Sequence, residues 1–303
     1  MGQNRIQVDL HRDLSLYMLL IPPIAFMLLF KFVPLAWITM AFKEFNIFRG
    51  LQESPWVGLD HFRRLFSTEE FYQVFRNTLL INVYRIVFLF PAPIIIALFL
   101  NEVANVGFKR VVQTIIYVPH FLSWVVVAAL FIQILSVDGG LVNQILMSLG
   151  IQPIPFLMDK RFFRGILIFT AGWKDVGWNT IIYLAAMTAI DPQLYEAAMV
   201  EGANRFQKMS HITMPGIAST IVVLLLLRLG QILGSNIDQV LMLYNPLVYE
   251  VGDVLATYVY RVGLGKMEYS FGTAVGLFNS VIGFILVISA NAITRRISDR
   301  SIW

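Results

Sequence analysis

The sequence predicts an all-α integral membrane protein with six helices that cross the bilayer. Of its 303 residues, 57% are hydrophobic and only 14% are charged, and the mean hydropathy is +0.70. A soluble protein needs more polar side chains than this to cover its surface. About 20 apolar residues in a helix cross the hydrocarbon of a bilayer. Runs of this length lie near 14–42, 78–100, 111–135, 163–190, 217–243 and 272–293.

The whole chain is expected to form one domain, residues 1–303, because a bilayer allows a single helical bundle of this length. The first span is apolar from Leu14 to Phe42 apart from Lys31, without the small-residue cleavage site of a signal peptide. We therefore expect it to stay attached. Prolines in the first two spans predict kinks that neighbouring helices must stabilise. They are Pro22, Pro23, Pro34, Pro91 and Pro93.

An even number of spans places both termini on one side of the membrane. Lys and Arg are denser in the segments that would share the side of the termini, and Arg295 and Arg296 stand at the end of the last span. The positive-inside rule therefore favours cytoplasmic termini by a small margin. The outer segment 43–77 mixes charges with aromatic residues such as Trp56 and Phe66. This mixture predicts short interfacial helices, which form either an aromatic belt or a ligand surface.

The loop between the fourth and fifth spans, residues 191–216, has the pattern of two short helices separated by a turn. Asp191 followed by Pro192 is a helix start, and residues 194–200 can make two amphipathic turns. Gly202 then permits a bend before a second short helix that leads to Pro215. The sequence thus predicts a helix-turn-helix knob on one face of the membrane.

This loop resembles the EAA loop of permeases in binding-protein-dependent ABC importers. The match consists of Glu-Ala-Ala, a glycine six residues after the glutamate, and Ile-x-x-Pro after nine further residues. The matching residues are Glu196, Ala197, Ala198, Gly202, Ile212 and Pro215. Met214 stands where the family usually has leucine, which is a swap of similar volume. The resemblance implies a type I ABC importer permease bundle with six transmembrane helices.

In that family the first helix, here 14–42, wraps the partner subunit, and the remaining five, here 75–293, form the permease core. The loop lies in the cytoplasm of a bacterium and docks on an ATPase subunit, so both termini are cytoplasmic and the protein is in the inner membrane. The residues expected to couple to the ATPase are Tyr195, Glu196, Ala197, Ala198, Glu201, Gly202, Ala203 and Pro215.

The resemblance also implies the partners. They are a second homologous permease, two ATP-binding-cassette ATPase subunits, an extracytoplasmic solute-binding protein and membrane lipid. This chain contains no Gly-x-x-x-x-Gly-Lys-Ser/Thr run, so it cannot cradle a nucleotide phosphate in that way. We expect ATP and Mg to be used by the ATPase subunits, and no cofactor to be bound by this chain.

Several further stretches resemble the oligosaccharide and polysaccharide-fragment branch of these permeases, which are relatives of the maltose-type permease. They lie at 54–59, 90–93, 117–124, 181–186 and 244–246. The resemblance therefore implies that the chain helps to import an oligosaccharide.

Polar side chains within spans should face protein or a wet cavity, because they are costly in hydrocarbon. Amides, charges and aromatic faces are also the groups that hold sugars. Each polar residue can equally be a structural link between helices. The cavity candidates are Trp173, Lys174, Asp175, Trp178, Asn179, Arg228, Gln231, Asn236 and Asp238. Cations outnumber acids among the intramembrane charges, which would suit an acidic sugar such as a uronate oligomer.

Other classes of protein fit the sequence less well. There is no cysteine, and the four histidines are dispersed without metal or triad spacing, so we expect no enzyme and no metal site. The net charge of +4 is scattered, which argues against nucleic-acid binding. A secondary transporter could use Asp175 and Asp238 as coupling carboxylates, but no internal repeat is visible. Import of a non-sugar solute is the other alternative.

Overall fold

A computed structural model describes residues 14–230, 234 and 237–297 of the chain. Helices joined by short connections account for nearly all of this part, and no strand is formed in it. Extended backbone pairs only at two isolated bridges, Lys43 with Trp56 and Asn46 with Gly50. The all-α prediction is therefore confirmed.

The first span changes its helical winding along its length. It begins as α1 (Leu14–Met27), continues as a π-helix (Leu28–Phe32) and ends as a 3₁₀-helix (Val33–Phe42). Pro22 and Pro23 lie inside α1, and the π-helix follows within two turns. None of the most apolar stretch of this span is buried against the rest of the chain. The first span must therefore be covered by lipid or by another subunit.

The outer segment after the first span contains two short helices, α2 (Gly50–Glu53) and α3 (Asp60–Ser67). One face of α3 is buried through His61 and Leu65, whereas Phe66 on the same helix is about half exposed. The segment is therefore amphipathic, as the sequence predicted.

The second span is a continuous rod of α4 (Glu69–Tyr84), a π-helix (Arg85–Leu89) and α5 (Pro91–Glu102). Pro91 is the first residue of α5, a position at which a backbone N–H would have no partner within the helix. The wider turns of the preceding π-helix allow the span to continue past this proline. The third predicted span is broken. Its first part is α6 (Val106–Tyr117) followed by a 3₁₀-turn (Val118–Phe121), and its second part is α7 (Trp124–Leu135). The two parts meet at an angle of 104°.

The central helix of the fold is α9 (Lys160–Thr188), which follows the short α8 (Leu141–Ser148). Its 29 residues extend over about 43 Å, which is enough to cross a bilayer. The loop 191–216, called the coupling loop below, follows as α10 (Pro192–Val200), α11 (Arg205–Lys208) and a π-helix (Met209–Thr213). This π-helix continues without a break into α12 (Met214–Gly230).

The remainder of the chain returns through short helices to the last span. These elements are α13 (Ile237–Leu243), a 3₁₀-turn (Pro246–Val248), α14 (Tyr249–Gly252), α15 (Leu255–Tyr258), a π-helix (Val259–Gly265) and α16 (Tyr269–Ile297).

The predicted count of six spans is not confirmed. Four helical segments of the described chain are long and apolar enough to cross a membrane, and the broken α6–α7 pair makes a fifth. They are Tyr17–Phe42, Glu69–Glu102, Arg205–Gly230 and Tyr269–Ser289. The bounds 217–243 for the fifth predicted span are wrong, because the helix begins at Arg205 and α13 is separate. The predicted span 163–190 coincides with α9 except for its last two residues, and the five charged residues of α9 lower its hydropathy.

Three apolar clusters hold the helices together. One joins α3, α4, α15 and α16 through Phe71, Tyr258 and Phe271. A second packs Ile81 of α4 on Phe163 and Leu167 of α9 together with α13 and the segment that follows it, and a third packs α5, α9 and α12. Two of the three clusters therefore depend on α9.

The closest backbone approach to α9 predicts a measurable loss of stability. A Cβ added at Gly177 would lie 1.9 Å from the backbone oxygen of Ile116 in α6, so the two helices would have to separate. We expect Gly177→Ala to cost about 1–3 kcal/mol and to lower the thermal midpoint of the detergent-solubilised protein. Gly165→Ala is the control, because a Cβ there meets nothing within 4 Å. Equal midpoints for the two variants would contradict this packing.

Candidate coupling loop and translocation face

The coupling loop 191–216 is built by local hydrogen bonds. The Asp191 carboxylate caps α10 by accepting from the backbone N–H of Gln193 at 2.9 Å. Gly202, at φ +79°, makes the turn after α10, in a backbone conformation that favours glycine. Asn204 and Gln207 then form a reciprocal capping box at the start of α11, with distances of 2.8 and 2.9 Å. The predicted helix-turn-helix knob is therefore present.

Two contacts fix the knob to the membrane-spanning helices. The hydroxyl of Tyr195 lies 2.9 Å from the hydroxyl of Thr213, which is buried just before α12. Ile190, at the end of α9, packs so closely on Gly216 that a Cβ there would meet its side chain at 2.6 Å. These contacts connect α10 to the segment that enters α12, and the end of α9 to α12 itself.

The free surface of the knob is unusually apolar for an exposed loop. Val200 is 90% exposed, Phe206 is 70% exposed, and Leu194 and Met199 are each more than half exposed. Glu196 is exposed among them, and no described residue forms an ion pair or hydrogen bond with its carboxylate. Clustered apolar side chains on a surface mark an interaction site.

Pro215 lies at the start of α12, immediately after the π-helix, and is exposed. The small residues Ala197, Ala198, Gly202 and Ala203 line a recess of about 520 Å³ between α10 and α11. Its remaining walls include Glu201, Lys208 and His211. Five of the eight predicted coupling residues therefore line this recess, whereas Tyr195, Glu196 and Pro215 do not.

The predicted cavity residues, in contrast, lie in separate places. Oδ1 of Asp175 lies at hydrogen-bond distance, 3.1 Å, from Nδ1 of His120. Trp178 stacks on the same imidazole ring, with centroids 4.6 Å apart and planes 4° from parallel. These two residues hold the 3₁₀-turn of the broken span against α9.

Lys174 forms hydrogen bonds with the backbone at the same break. Its ammonium donates to the carbonyl oxygens of His120 at 2.5 Å and Leu122 at 2.7 Å. The lysine is 7% exposed, so its head group is committed to these carbonyls, which the bend leaves without helical partners. Lys174 therefore acts here as a link between helices, which was the alternative to a cargo contact.

Asn179 and Arg228 come together in a cavity of about 150 Å³ between α5, α9 and α12, beside Tyr183. Trp173 lies apart from them, in a larger groove on α9. Asp238 is exposed near the start of α13. Gln231 and Asn236 lie outside the described residues.

Sequence reasoning missed one buried polar connection. Arg85, 4% exposed in the second span, donates from Nη2 to Oε1 of Gln239 in α13. The amide of Gln239 in turn donates to the Leu167 carbonyl at 2.6 Å and to the Thr170 hydroxyl at 2.7 Å, both in α9. The signal in the sequence that could have indicated this connection is Gln239, a polar residue at the start of the apolar run 240–243. The larger groove was also missed, because its two walls, α9 and the second span, are distant in sequence.

The structural role of Lys174 can be separated from a cargo role. We expect Lys174→Met to lower the free energy of unfolding by about 1–3 kcal/mol, because two carbonyls lose their donor. Lys266→Met is the control, since Lys266 is exposed outside the spans. Thermal unfolding in detergent measures the effect. If Lys174→Met keeps the wild-type midpoint but abolishes transport, a cargo contact is the better explanation.

Comparison with known proteins agrees with this architecture. Residues 90–299 match the family described as binding-protein-dependent transport system inner membrane component. The chain is 44% identical over 301 residues to the polygalacturonan/rhamnogalacturonan transport system permease protein YteP of Bacillus subtilis (strain 168), which covers 99% of this chain and 94% of that protein. It is 26% identical to the trehalose/maltose transport system permease protein MalF of Thermococcus litoralis, with 90% of each chain covered.

A solved structure is also similar. It is a chain of a bacterial alginate ABC transporter in complex with an alginate pentasaccharide-bound periplasmic protein, with a TM-score of 0.90 and 41% identity. The match covers 99% of this chain and 100% of that one. The family model spans most of the chain and includes the coupling loop, so the resemblance based on Glu196, Gly202 and Pro215 is confirmed. The chain belongs to the binding-protein-dependent transport system inner membrane components, and it is a transport permease rather than an enzyme.

Proposed function

We propose that this chain is the permease subunit through which an ATP-driven importer carries an oligosaccharide across the bacterial inner membrane. The observation that carries the proposal is the exposed knob 191–216, which combines an apolar surface with the unpaired carboxylate of Glu196. Such a surface requires a partner. Because the chain has no phosphate-binding loop of its own, an ATPase subunit is the partner that transport requires.

The complete importer contains a second homologous permease, two ATPase subunits and an extracytoplasmic solute-binding protein. ATP and Mg bind to the ATPase subunits. The first span supports a second permease as its neighbour, because its most apolar stretch is not buried against the rest of this chain, whereas only its 3₁₀ end packs on α16. The periplasmic binding protein in the similar alginate transporter supports the last partner.

Coupling follows from the mechanical connections of α10. When ATP closes the ATPase dimer, α10 moves with the ATPase surface, and the contacts Tyr195 to Thr213 and Ile190 to Gly216 transmit the movement to α12 and α9. An equilibrium between inward-open and outward-open states shifts only if a partner binds them differently. The knob is where that difference arises. In this proposal the knob and both termini lie in the cytoplasm, and residues 75–293 form the helical core around the path.

The cargo class is an oligosaccharide, with an acidic one favoured. Similar permeases are named for polygalacturonan and rhamnogalacturonan, and a similar structure belongs to an importer of the acidic polysaccharide alginate. Within this chain, Arg228 and Asn179 share a cavity, and charged and amide groups of this kind bind sugars through hydrogen bonds.

Substitution of the turn glycine tests the coupling role. We expect Gly202→Asp to insert in the membrane but to lose most ATPase copurification and transport, because φ +79° is unfavourable for aspartate and a carboxylate would intrude on the docking surface. Gly150→Asp is a matched control, since Gly150 also has positive φ (+77°) and open space around it, in a loop far from the knob. Equal transport by the two variants would refute the proposal.

Charge reversal on the docking face provides an independent test. We expect Glu196→Lys to reduce copurification of the ATPase and transport by about tenfold or more, because the exposed carboxylate meets cationic or amide groups of its partner. Glu53→Lys, in the outer helix α2, is the control for charge reversal. Pull-down of the ATPase and uptake of a labelled oligosaccharide into vesicles are the two measurements. Wild-type values for Glu196→Lys would exclude Glu196 from the interface.

A further inference from the structure

A long groove lies between α9 and the second span. It has a volume of about 1010 Å³ and is lined by Tyr84, Phe88 and Leu89 on one side. The other side is α9 from Lys160 to Val176, a length of about 24 Å. The groove is therefore elongated, and its shape suits an extended chain better than a compact solute.

One end of the groove is positively charged. Lys160, Arg161 and Arg164 all line it, in the first turns of α9. Arg161 is neutralised by Asp159 at 2.6 Å, and Lys160 is paired with Glu250. The hydrogen bond from Lys160 lowers the pKa of Glu250 below its usual value, and the charges of Arg76 and Arg164 add to this effect. More cations than carboxylates therefore surround this end.

Arg164 is the cation in this group that is not paired with a carboxylate among the described residues. Its Nη2 donates to Oδ1 of Asn77 at 2.7 Å, and its Nε donates to the carbonyl oxygen of Val251 at 3.1 Å. Both acceptors are neutral. The Asn77 amide is itself held by the carbonyls of Glu250 and Asp253, so the guanidinium is fixed in place without an ion pair to a carboxylate.

The rest of the groove has the groups that sugar rings pack against. Its walls carry the aromatic side chains Tyr84, Phe88, Phe169 and Trp173. Two glycines of α9, Gly165 and Gly172, also line it. At Gly165 an added Cβ would meet nothing within 4 Å, so this side chain position opens into the groove.

A lipid tail fits this groove less well than a polar chain. Arg164 lies on the groove wall, and a charged side chain in contact with hydrocarbon is costly.

We propose that this groove is the path of an acidic oligosaccharide, and that Arg164 at its charged end selects cargo that bears carboxylates. The inference rests on the proposed function and specifies its cargo-binding surface. A carboxylate can form charge-assisted hydrogen bonds with Arg164, whereas a neutral hydroxyl forms weaker ones. The excess positive charge also concentrates anionic cargo at the entrance. Because α9 leads into the coupling loop, cargo in the groove lies on the same helix that the ATPase moves.

Selectivity between acidic and neutral cargo tests Arg164. The probes are alginate pentasaccharide and its carboxyl-reduced, neutral derivative. Uptake of each probe is measured in proteoliposomes that contain the complete importer, with the same binding protein at a saturating concentration. We expect Arg164→Gln to lower the ratio of acidic to neutral uptake about tenfold, because a charge-assisted bond is lost. Arg164→Lys should retain most of the preference. Arg63→Gln is the control, because it removes an exposed arginine paired with Asp60 on the outer surface.

Blocking the groove tests the path independently of charge. We expect Gly165→Leu to reduce uptake of both probes at least tenfold, while the variant still copurifies with its ATPase. Gly283→Leu is the matched control, since a Cβ at Gly283 in α16 also meets nothing within 4 Å.

Three outcomes would overturn the inference. Wild-type uptake by Arg164→Gln and Gly165→Leu would show that cargo passes elsewhere. The second outcome is that Arg164→Gln keeps the wild-type ratio of acidic to neutral uptake, but its uptake no longer depends on the phosphatidylglycerol content of the proteoliposomes. This result would show that the charged end binds anionic lipid instead. Uptake that falls as much in Gly283→Leu as in Gly165→Leu would remove the evidence for a blocked path. If no ATPase copurifies with the wild-type chain, the proposed function itself fails, which is a separate result.

Discussion

The structure depends on the need to satisfy every polar backbone group that lies within a membrane. The sharp bend between α6 and α7 leaves the carbonyls of His120 and Leu122 without helical partners. Lys174 supplies the missing donors from the neighbouring α9, and Trp178 stacks on His120 beside it. A lysine that would be costly in lipid thus makes a broken span possible.

The same constraint makes α9 the helix on which the others are arranged. Gln239 connects α13 to the Leu167 carbonyl and the Thr170 hydroxyl of α9, and also accepts from Arg85 of the second span. Gly177 allows α6 to approach α9 at backbone distance. Because α9 also ends at the loop 191–216, one helix connects the large groove, the broken span and the surface proposed to contact the ATPase.

Patterns of hydrophobicity predicted the membrane class and most spans, but they misplaced helix ends. The fifth span was predicted to begin at 217, whereas α12 is entered without interruption from Arg205 through a π-helix. The third span was predicted as one rod, although Pro119 and the Ser123 cap mark its break. Average hydropathy over a window does not register a change of direction, because the residues on both sides of a bend are equally apolar.

The sequence by itself determined the membrane class and the coupling loop, because the interactions that build this loop are local. The Asp191 cap, the Gly202 turn and the Asn204–Gln207 capping box each involve residues at most three positions apart. Only the tertiary structure decided the roles of the polar residues in the spans. Lys174 faces a neighbouring backbone, whereas Arg164 faces the large groove. The physical reason is that the direction of a side chain at bilayer depth depends on which helices pack around it, and these neighbours are distant in sequence.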